Sequence, residues 1–359
     1  MPTRPPVKFA VGDTFQKTLR ARIDRYFRFT GRSPRDCPQM YLKTGIILSW
    51  LIASYVLLVF VDKPWWVAVP LAVALGMGVA AVGFNVQHDG GHKAYSRFNW
   101  INRLMAMSLD LLGGSSYIWN LKHNTIHHTY ANITDHDDDI NVGFLGRLSP
   151  HQPRRKFHRL QHWYLWPLYG FLPPKWHFVD DFLNTIRGRI GTHHIARPKG
   201  RELAIFLGGK AVFFTLAFVV PALFHPIWMV VLFYLMICWI EGIVLSVVFQ
   251  LAHVVEEAEF PMPDHDTGHM EKHWAVHQVE TTVDFARTNP FLTWFLGGLN
   301  FQVEHHLFPR ISHIHYPRIS RMVERACREF GLRYNAHKSL FDGVASHFRW
   351  LRRMGQPVT

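Results

Sequence analysis

The segment Trp65–His92, WWVAVPLAVALGMGVAAVGFNVQHDGGH, joins an uncharged stretch directly to a pair of histidines. An α-helix needs roughly 20 apolar residues to cross a hydrocarbon layer of about 30 Å. The run Trp65–Val86 has that length, and His88 and His92 follow close behind it. The segment therefore predicts a membrane-spanning helix that delivers two imidazole side chains to one membrane surface.

Three further runs have the same character and bring the number of predicted spans to four. They are Thr44–Val61, Leu203–Phe224 and Ile227–Leu251. Within each pair of runs the connection is very short, Asp62-Lys63-Pro64 in the first pair and His225-Pro226 in the second. The four runs therefore predict two helical hairpins, with both chain ends and the long middle segment on one side of the membrane.

That shared side is strongly basic, whereas Lys63 is the only Lys or Arg in the two outer turns. The basic residues before the first span are Arg20, Arg22, Arg25, Arg28, Arg32, Arg35 and Lys43. Those between the hairpins are Arg147, Arg154, Arg155, Lys156, Arg159, Arg187, Arg189, Arg197, Lys199 and Arg201. The positive-inside rule places this side in the cytoplasm.

The expected fold is an all-α integral membrane protein, with four transmembrane helices in two hairpins and a cytoplasmic helical cap. We divide it into a basic cytoplasmic N-terminal segment (1–43), a membrane domain (44–320) and a cytoplasmic C-terminal segment (321–359). The amphipathic stretch Phe15–Phe29 is expected to lie on the bilayer surface. Ile101–Trp119 is too broken for a span and predicts an interfacial or re-entrant segment, and a helix is expected over Pro317–Phe330.

Composition excludes several classes of function. The net charge of +13 is explained by membrane topology and attraction to anionic headgroups, so no nucleic-acid partner is expected. The 3 cysteines are far apart, which argues against disulfides and iron–sulfur sites. The polar, basic N-terminal stretch contains no apolar core of a cleavable signal peptide. Inside the spans, Lys210 is expected to snorkel towards the surface, and Glu241 is a candidate functional residue.

The histidines fall into three tight groups, each just beyond an apolar stretch. The groups are His88 and His92 in HDGGH, His123, His127 and His128 in HNTIHH, and His305 and His306 in QVEHH, with a lone His253 at the end of the fourth span. Imidazole side chains at positions i and i+4 of a helix point to the same side and can coordinate one metal ion. Many nitrogen ligands and almost no thiol favour non-haem iron in a multinuclear site.

Other polar residues near these groups are candidates for a supporting role or for direct ligation. Gln302 occupies the first place of the third group, and Asp89 and Asn120 flank the first two groups. The acidic run Asp135, Asp137, Asp138 and Asp139 could supply carboxylate ligands, but we expect it rather to orient ligating imidazoles or to be solvated. His269, His273 and His277 also have helical spacing but lie far from any span, and His193, His194, His313 and His315 lack a completing partner.

The chain resembles the membrane fatty-acid desaturase family from about Val86 to Ser320. The resemblance rests on HDGGH, KHNTIHHTYANITDHDDDI and WAVHQVETTVDF…WFLGGLNFQVEHHLFPRISHIHYP. The last of these segments resembles the front-end and linoleoyl-CoA desaturase branch, in which glutamine occupies the first position of the third histidine group. The resemblance implies a di-iron centre held by His88, His92, His123, His127, His128, His253, His305 and His306.

The resemblance further implies an O2-dependent enzyme that inserts a cis double bond into the acyl chain of an acyl-CoA or acyl-lipid, with delta-5 and delta-6 as the positions typical of the branch. No His-Pro-Gly-Gly haem motif is visible, so a separate ferredoxin or cytochrome b5-like donor is expected on the basic face, and a bacterial inner membrane is favoured over an endoplasmic reticulum. The alternatives are a hydroxylase of the same superfamily and a His-rich metal transporter. Clusters on one side of the spans argue against transport.

Overall fold

The structure is a computed structural model that describes residues 5–357. Within this range, four helices are long and apolar enough to cross a membrane. They are Pro38–Phe60, Trp65–Gly91, Arg201–Ala222 and Ile227–His253. These four helices confirm the predicted spans, and the second and fourth continue beyond the apolar runs to carry histidines into the cap.

Nineteen α-helices follow one another along the part of the chain that the structure describes. They are α1 (Thr14–Thr30), α2 (Pro38–Phe60), α3 (Trp65–Val82), α4 (His88–Gly91), α5 (Asn99–Ala106), α6 (Ser108–Leu111), α7 (Ser116–Trp119), α8 (His128–Tyr130), α9 (Gln161–Tyr169), α10 (Leu172–Lys175), α11 (Asp181–Arg187), α12 (Arg201–Phe214), α13 (Val220–Ala222), α14 (Ile227–His253), α15 (Trp274–Thr281), α16 (Pro290–Phe295), α17 (Gln302–Leu307), α18 (Tyr316–Glu329) and α19 (Leu340–Gly355).

Four π-helical segments interrupt or extend these helices: Gly83–Gln87, Asn120–His127, Trp176–Asp180 and Thr215–Val219. Short 3₁₀ turns cover Asp138–Ile140, Gly143–Leu145, Lys156–Leu160 and His313–His315. The strands are β1 (Lys8–Ala10), β2 (Arg189–Ile190), β3 (His193–His194), β4 (His269–His273), β5 (Asp284–Phe285) and β6 (Ala336–His337). They form three two-stranded pairs, with β1–β4 and β5–β6 parallel and β2–β3 antiparallel.

The stem is held together where small residues let helices approach closely. A side chain at Gly76 of α3 would meet the backbone oxygen of Ile237 in α14 at 2.9 Å, so glycine is required at that crossing. Close packing of this kind drives association between membrane helices, because lipid offers little hydrophobic incentive. It fixes α3 against α14; the same span continues from α3 to His88 at the start of α4, and α14 ends at His253.

The cap contains α1, which corrects one expectation from the sequence. Phe15, Leu19 and Ile23 form the apolar face of α1 and are almost fully buried in a cluster with residues of α15, α17 and α18. That face is therefore not available to the bilayer. The helix is amphipathic, as its sequence indicates, but the partner of its apolar face is protein.

Two other expectations concern polar residues and broken helices near the stem. Ile101–Trp119 forms parts of α5, α6 and α7 and no continuous span, as predicted. Lys210 does not snorkel: its ammonium group is buried and lies 2.8 Å from Asp181 Oδ2 and 2.5 Å from the carbonyl oxygen of Gly113. Lys210 therefore ties α12 to α11 and to the turn before α7.

Candidate metal centre

The eight histidines singled out in the sequence converge on one buried site between the stem and the cap. His88 and His92 lie at the C-terminal end of the second span, and His253 is the last residue of α14. His123 and His127 lie in the π-helical segment Asn120–His127, and His128 is the first residue of α8. His305 and His306 lie on α17. Most of these side chains are almost inaccessible to solvent.

The ligand atoms fall into overlapping groups, and within each group they lie within 4.8 Å of one another. One group comprises His88, His92, His123 and His305. A second comprises His127, His253 and His306. His128 joins His305 and His306 in a third group, so its ring lies between the first two. The arrangement offers two neighbouring ligand sets with one imidazole between them.

The π-helical turn explains how His123 and His127 come to face the site together. A π-helix bonds residue i to i+5 and occurs mainly as a single turn at functional sites. The rings of His123 and His127 stack with centroids 5.2 Å apart, and the ring of His128 stands at 87° to that of His123. The three side chains thus point in two directions from one turn of backbone.

Residues around the cluster orient several rings through Nδ1. His306 Nδ1 lies 2.8 Å from Gln278 Oε1, and His127 Nδ1 lies 3.0 Å from Asp137 Oδ2. His253 Nδ1 lies 3.2 Å from the backbone oxygen of Thr281. An acceptor on one ring nitrogen places the proton there and leaves the lone pair on the other. These contacts direct the Nε2 lone pairs into the site.

Six Nε2 atoms of the cluster have no hydrogen-bond partner among residues 5–357. They belong to His92, His127, His128, His253, His305 and His306, and Nδ1 of His128 is also unpartnered. Buried polar atoms are almost always bonded, so a set of orphaned nitrogens facing one point requires an explanation. Metal ions with a preference for imidazole fit this donor set.

The protonation state of the rings agrees with metal binding. Burial, reinforced by neighbouring imidazoles, lowers the pKa of His92, His128, His305 and His306 well below the ordinary value. Neutral imidazole is the form that binds metal. For His127, burial is the largest influence and lowers the pKa, but the carboxylates of Asp137 and Asp139 outweigh it, so the net pKa is raised.

The candidate supporting residues have different surroundings. The amide oxygen of Gln302 is buried without a partner among the described residues, and Gln302 lines the cavity beside the histidines. Asp89 lies 2.9 Å from His313 Nδ1, and His313 Nε2 lies 3.0 Å from Lys43 Nζ. Asn120 is exposed and bonds to Asn124, away from the ligand groups. Whether any of the three supports a metal stays a prediction.

The histidines that the sequence placed outside the three groups lie elsewhere. His269 and His273 belong to β4, and His277 Nε2 lies 2.9 Å from the backbone oxygen of Ala131. His193 lies in β3, and its Nε2 lies 2.9 Å from the carbonyl oxygen of His136. The candidate ligand groups found among residues 5–357 include none of these side chains.

Sequence reasoning missed a buried acid pair that anchors α17. Tyr334 donates a 2.5 Å hydrogen bond to Asp284 Oδ2 and its hydroxyl lies 2.9 Å from Glu304 Oε1. Asp284 also accepts from the backbone amide of Val303 at 3.0 Å. Burial and the nearby charge of Asp284 raise the pKa of Glu304 well above its ordinary value. Glu304 directly precedes His305, but nothing in its spacing indicated a partner.

A cavity of about 340 Å³, which we call the metal-side cavity, reaches from the histidines into the stem. His88, His123, His253 and His305 are in its lining, and Leu245, Val248 and Phe249 of α14 supply apolar wall. The apolar segment 291–301 is a candidate for the wall of an acyl tunnel. Leu299 of this segment lines the cavity, whereas Phe295 and Leu296 pack in the adjoining hydrophobic core. The site can therefore hold a long apolar chain against the ligand groups.

Comparison with known proteins adds independent information. The family model described as Fatty acid desaturase matches residues 64–338. The chain is 40% identical to the sn-1 linoleoyl-lipid 6-desaturase of Arthrospira platensis, over 98% of this chain and 95% of that protein. It is 40% identical to the enzyme of the same name from Synechocystis sp., over 99% of each. An acyl-lipid (8-3)-desaturase of Physcomitrium patens is 37% identical over 96% of this chain and 72% of its own length.

Proposed function

Because the chain belongs to the fatty acid desaturase family and is a fatty-acyl desaturase, we propose that its eight clustered histidines are the ligands of two iron ions. The proposed ligands are His88, His92, His123, His127, His128, His253, His305 and His306. The observation that carries this proposal is the set of buried, unpartnered Nε2 atoms aimed at one site. Gln302 is proposed as a neighbour of the ions through its free amide oxygen.

Iron, when bound in this site with O2 and two electrons, supplies the oxidising power needed to remove hydrogen from an unactivated C–H bond. The chain itself has other tasks. Gln278, Asp137 and Thr281 fix the ring orientations, which preserves the ligand geometry. The apolar wall of α14 orients the acyl chain and excludes water, so that reactive chemistry is confined to the substrate.

We propose that the substrate is the acyl chain of a membrane lipid. Two of the relatives are named for linoleoyl-lipid and a third is named an acyl-lipid desaturase, so the names of the relatives support an acyl-lipid over an acyl-CoA.

For the position of the new bond we propose the carboxyl side of an existing double bond, at position 6 of a linoleoyl chain. The support is the similarity to the two 6-desaturases over nearly the whole chain. A methylene chain has no polar group by which the enzyme could recognise one particular carbon. The position of the new double bond must therefore be set by the distance between an anchored headgroup and the metal site.

We also propose that both termini and the metal site face the cytoplasm, in a bacterial inner membrane, with a separate electron donor docking from that side. The support is the basic surface of α1 and α18, which includes exposed Arg25, Arg28, Arg321, Arg325 and Arg328. The helix α18 starts at Tyr316, whose hydroxyl lies 3.4 Å from His305 Nδ1. An acidic donor bound there would be steered by charge and would stand close to the ligands.

The proposal is tested by fatty-acid methyl-ester analysis of cells that express the wild type or a His127→Ala/His128→Ala variant, with a competent donor present. Linoleic acid should gain a double bond at position 6 with the wild type and not with the variant. Purified wild type should also contain about two iron ions per chain, and the variant fewer. A hydroxy acid would make the enzyme a hydroxylase, and full iron content in the variant would overturn the ligand assignment.

A further inference from the structure

The stem contains a second cavity that the proposed reaction does not use. This stem cavity has a volume of about 540 Å³ and lies between the helices of the two hairpins. Its lining is largely apolar and includes Leu51, Tyr55, Ala217 and Met229. It borders the metal-side cavity, since both are lined by Val79, Leu112 and Glu241. These three residues form the partition between the two spaces.

Glu241 is the one ionisable member of this partition. It lies on α14 and is only 7% exposed, and its carboxyl has no hydrogen-bond or ion-pair partner among residues 5–357. The nearby Tyr234 hydroxyl is already engaged, 2.9 Å from His177 Nδ1. An unpaired carboxyl in a membrane span costs free energy, which makes Glu241 a candidate functional residue.

The position of Glu241 relates it to the reacting end of the cavity. Glu241, Leu245, Phe249 and His253 are spaced by four residues and all line the metal-side cavity. At 1.5 Å per residue, Glu241 stands about 18 Å along α14 from His253. The ligand end and the carboxyl therefore mark opposite ends of one continuous apolar strip.

We propose that Glu241 forms the end of the acyl channel, so that the methyl end of the substrate stops at its carboxyl group. Without this carboxyl, a longer acyl chain would extend into the stem cavity behind it. The inference deepens the proposed function and rests on it. Methylene groups that moved past the carboxyl would bury it further and offer it no hydrogen bond in return. Glu241 thus limits chain length by polarity, whereas Val79 and Leu112 contribute only shape.

The test compares two substitutions of similar size. Glu241→Leu removes the polarity and Glu241→Gln keeps it. Cells expressing each form are supplied with linoleic acid and with its homologues two and four carbons longer, and products are quantified by gas chromatography–mass spectrometry. The ratio of long-chain to linoleate conversion should rise at least about fivefold in Glu241→Leu and stay near the wild-type value in Glu241→Gln. Equal ratios in the two variants would overturn the proposal.

A second pair of variants tests the stem cavity itself. Ala217 lies in its lining, so Ala217→Phe should fill it. Combined with Glu241→Leu, this substitution should cancel the gain in long-chain conversion; a gain that persists would show that the longer chain goes elsewhere. In the wild-type background Ala217→Phe should leave linoleate conversion unchanged. A loss there, in protein that keeps its iron, would mean that the natural substrate already enters the stem cavity and would overturn the proposal.

The two proposals fail in different ways. If the proposed function is wrong, the wild type forms no double bond from any of the supplied acids. If only the role of Glu241 is wrong, the wild type and variants desaturate linoleate while the chain-length ratios do not respond to the Leu substitution.

Discussion

Nδ1 of His306 lies 2.8 Å from the amide oxygen of Gln278, so α15 fixes the orientation of a histidine carried by α17. Both side chains are almost fully buried, and the hydrogen bond leaves Nε2 of His306 free to face the site. The proposed metal centre therefore depends on a residue that belongs to none of the histidine groups.

Replacing Gln278 by Leu should lower iron content and desaturation together. The loss of an orienting partner commonly reduces metal affinity or activity by about 10–100-fold. Iron per chain and product yield are to be measured on the same purified sample. Gln356→Leu is the control, because Gln356 is exposed on the far end of the chain. Unchanged iron content in Gln278→Leu would contradict this role.

His253→Ala should remove a ligand from the group that it forms with His127 and His306. We expect one iron ion to be lost preferentially and desaturation to fall at least about 100-fold. His225→Ala is the matched control, since His225 lies outside the ligand groups, before α14, and its Nε2 lies 2.8 Å from the carbonyl oxygen of Val59. Similar iron losses in the two variants would point to general misfolding.

Tyr334→Phe should destabilise the cap, because it leaves Asp284 and Glu304 with one hydrogen-bonding group fewer in a buried setting. The expected loss is about 1–3 kcal/mol in the free energy of unfolding. Thermal unfolding in detergent checks this, with Tyr117→Phe as the control. The Tyr117 hydroxyl bonds at the surface to the carbonyl oxygen of Ala196, so its removal should have little effect.

The pH dependence of stability should include a contribution from Glu257. Burial, the largest influence, raises its pKa, but hydrogen bonds from His337 and Ser346 outweigh burial and lower the pKa to about 2. A depressed pKa stabilises the folded state above the unfolded value of about 4.5, and the stabilisation disappears as pH falls from there towards 2. Glu257→Gln should therefore lower the melting temperature at pH 6, and the difference from wild type should shrink below pH 4.5 and vanish near pH 2. A constant difference would refute this.

Reversing charge on α18 should slow electron delivery. Arg321→Glu/Arg325→Glu should raise the donor concentration needed for half-maximal turnover, and the difference should shrink at high salt because screening weakens the attraction. Reduction of the protein by dithionite should be unaffected. Arg352→Glu/Arg353→Glu on α19 is the control. Equal effects of the two double variants would place the docking surface elsewhere.

The spans and the eight histidines can be predicted from the sequence because both depend on short-range patterns. Apolar length marks a membrane helix, and closely spaced imidazoles mark a ligand pair. The apolar face of α1 is also visible in the sequence, but whether it meets lipid or protein depends on α18, which lies at the other end of the chain.

The residues that support the site are harder to predict because their partners are distant in sequence. No local sequence motif marks Gln278, Tyr334 or Asp284. Their roles are evident only in the fold, where α15, α17 and the segment after α18 come together. The expectation for Lys210 is wrong for the same reason, since Asp181 lies on another helix. The carboxyl of Glu241 stands out in the sequence, but the two cavities on either side of it are products of the fold.

The rings of His88 and His305 lie with centroids only 4.5 Å apart, although one follows the second span and the other follows the fourth. A ribosome synthesises these residues at widely separated times, so the histidine cluster stays incomplete until His305 and His306 have been added. A chain truncated before His305 would lack part of the proposed ligand set, however well it were inserted. Under the proposed ligand assignment, a metal ion could gain all of its ligands only after synthesis has passed His306.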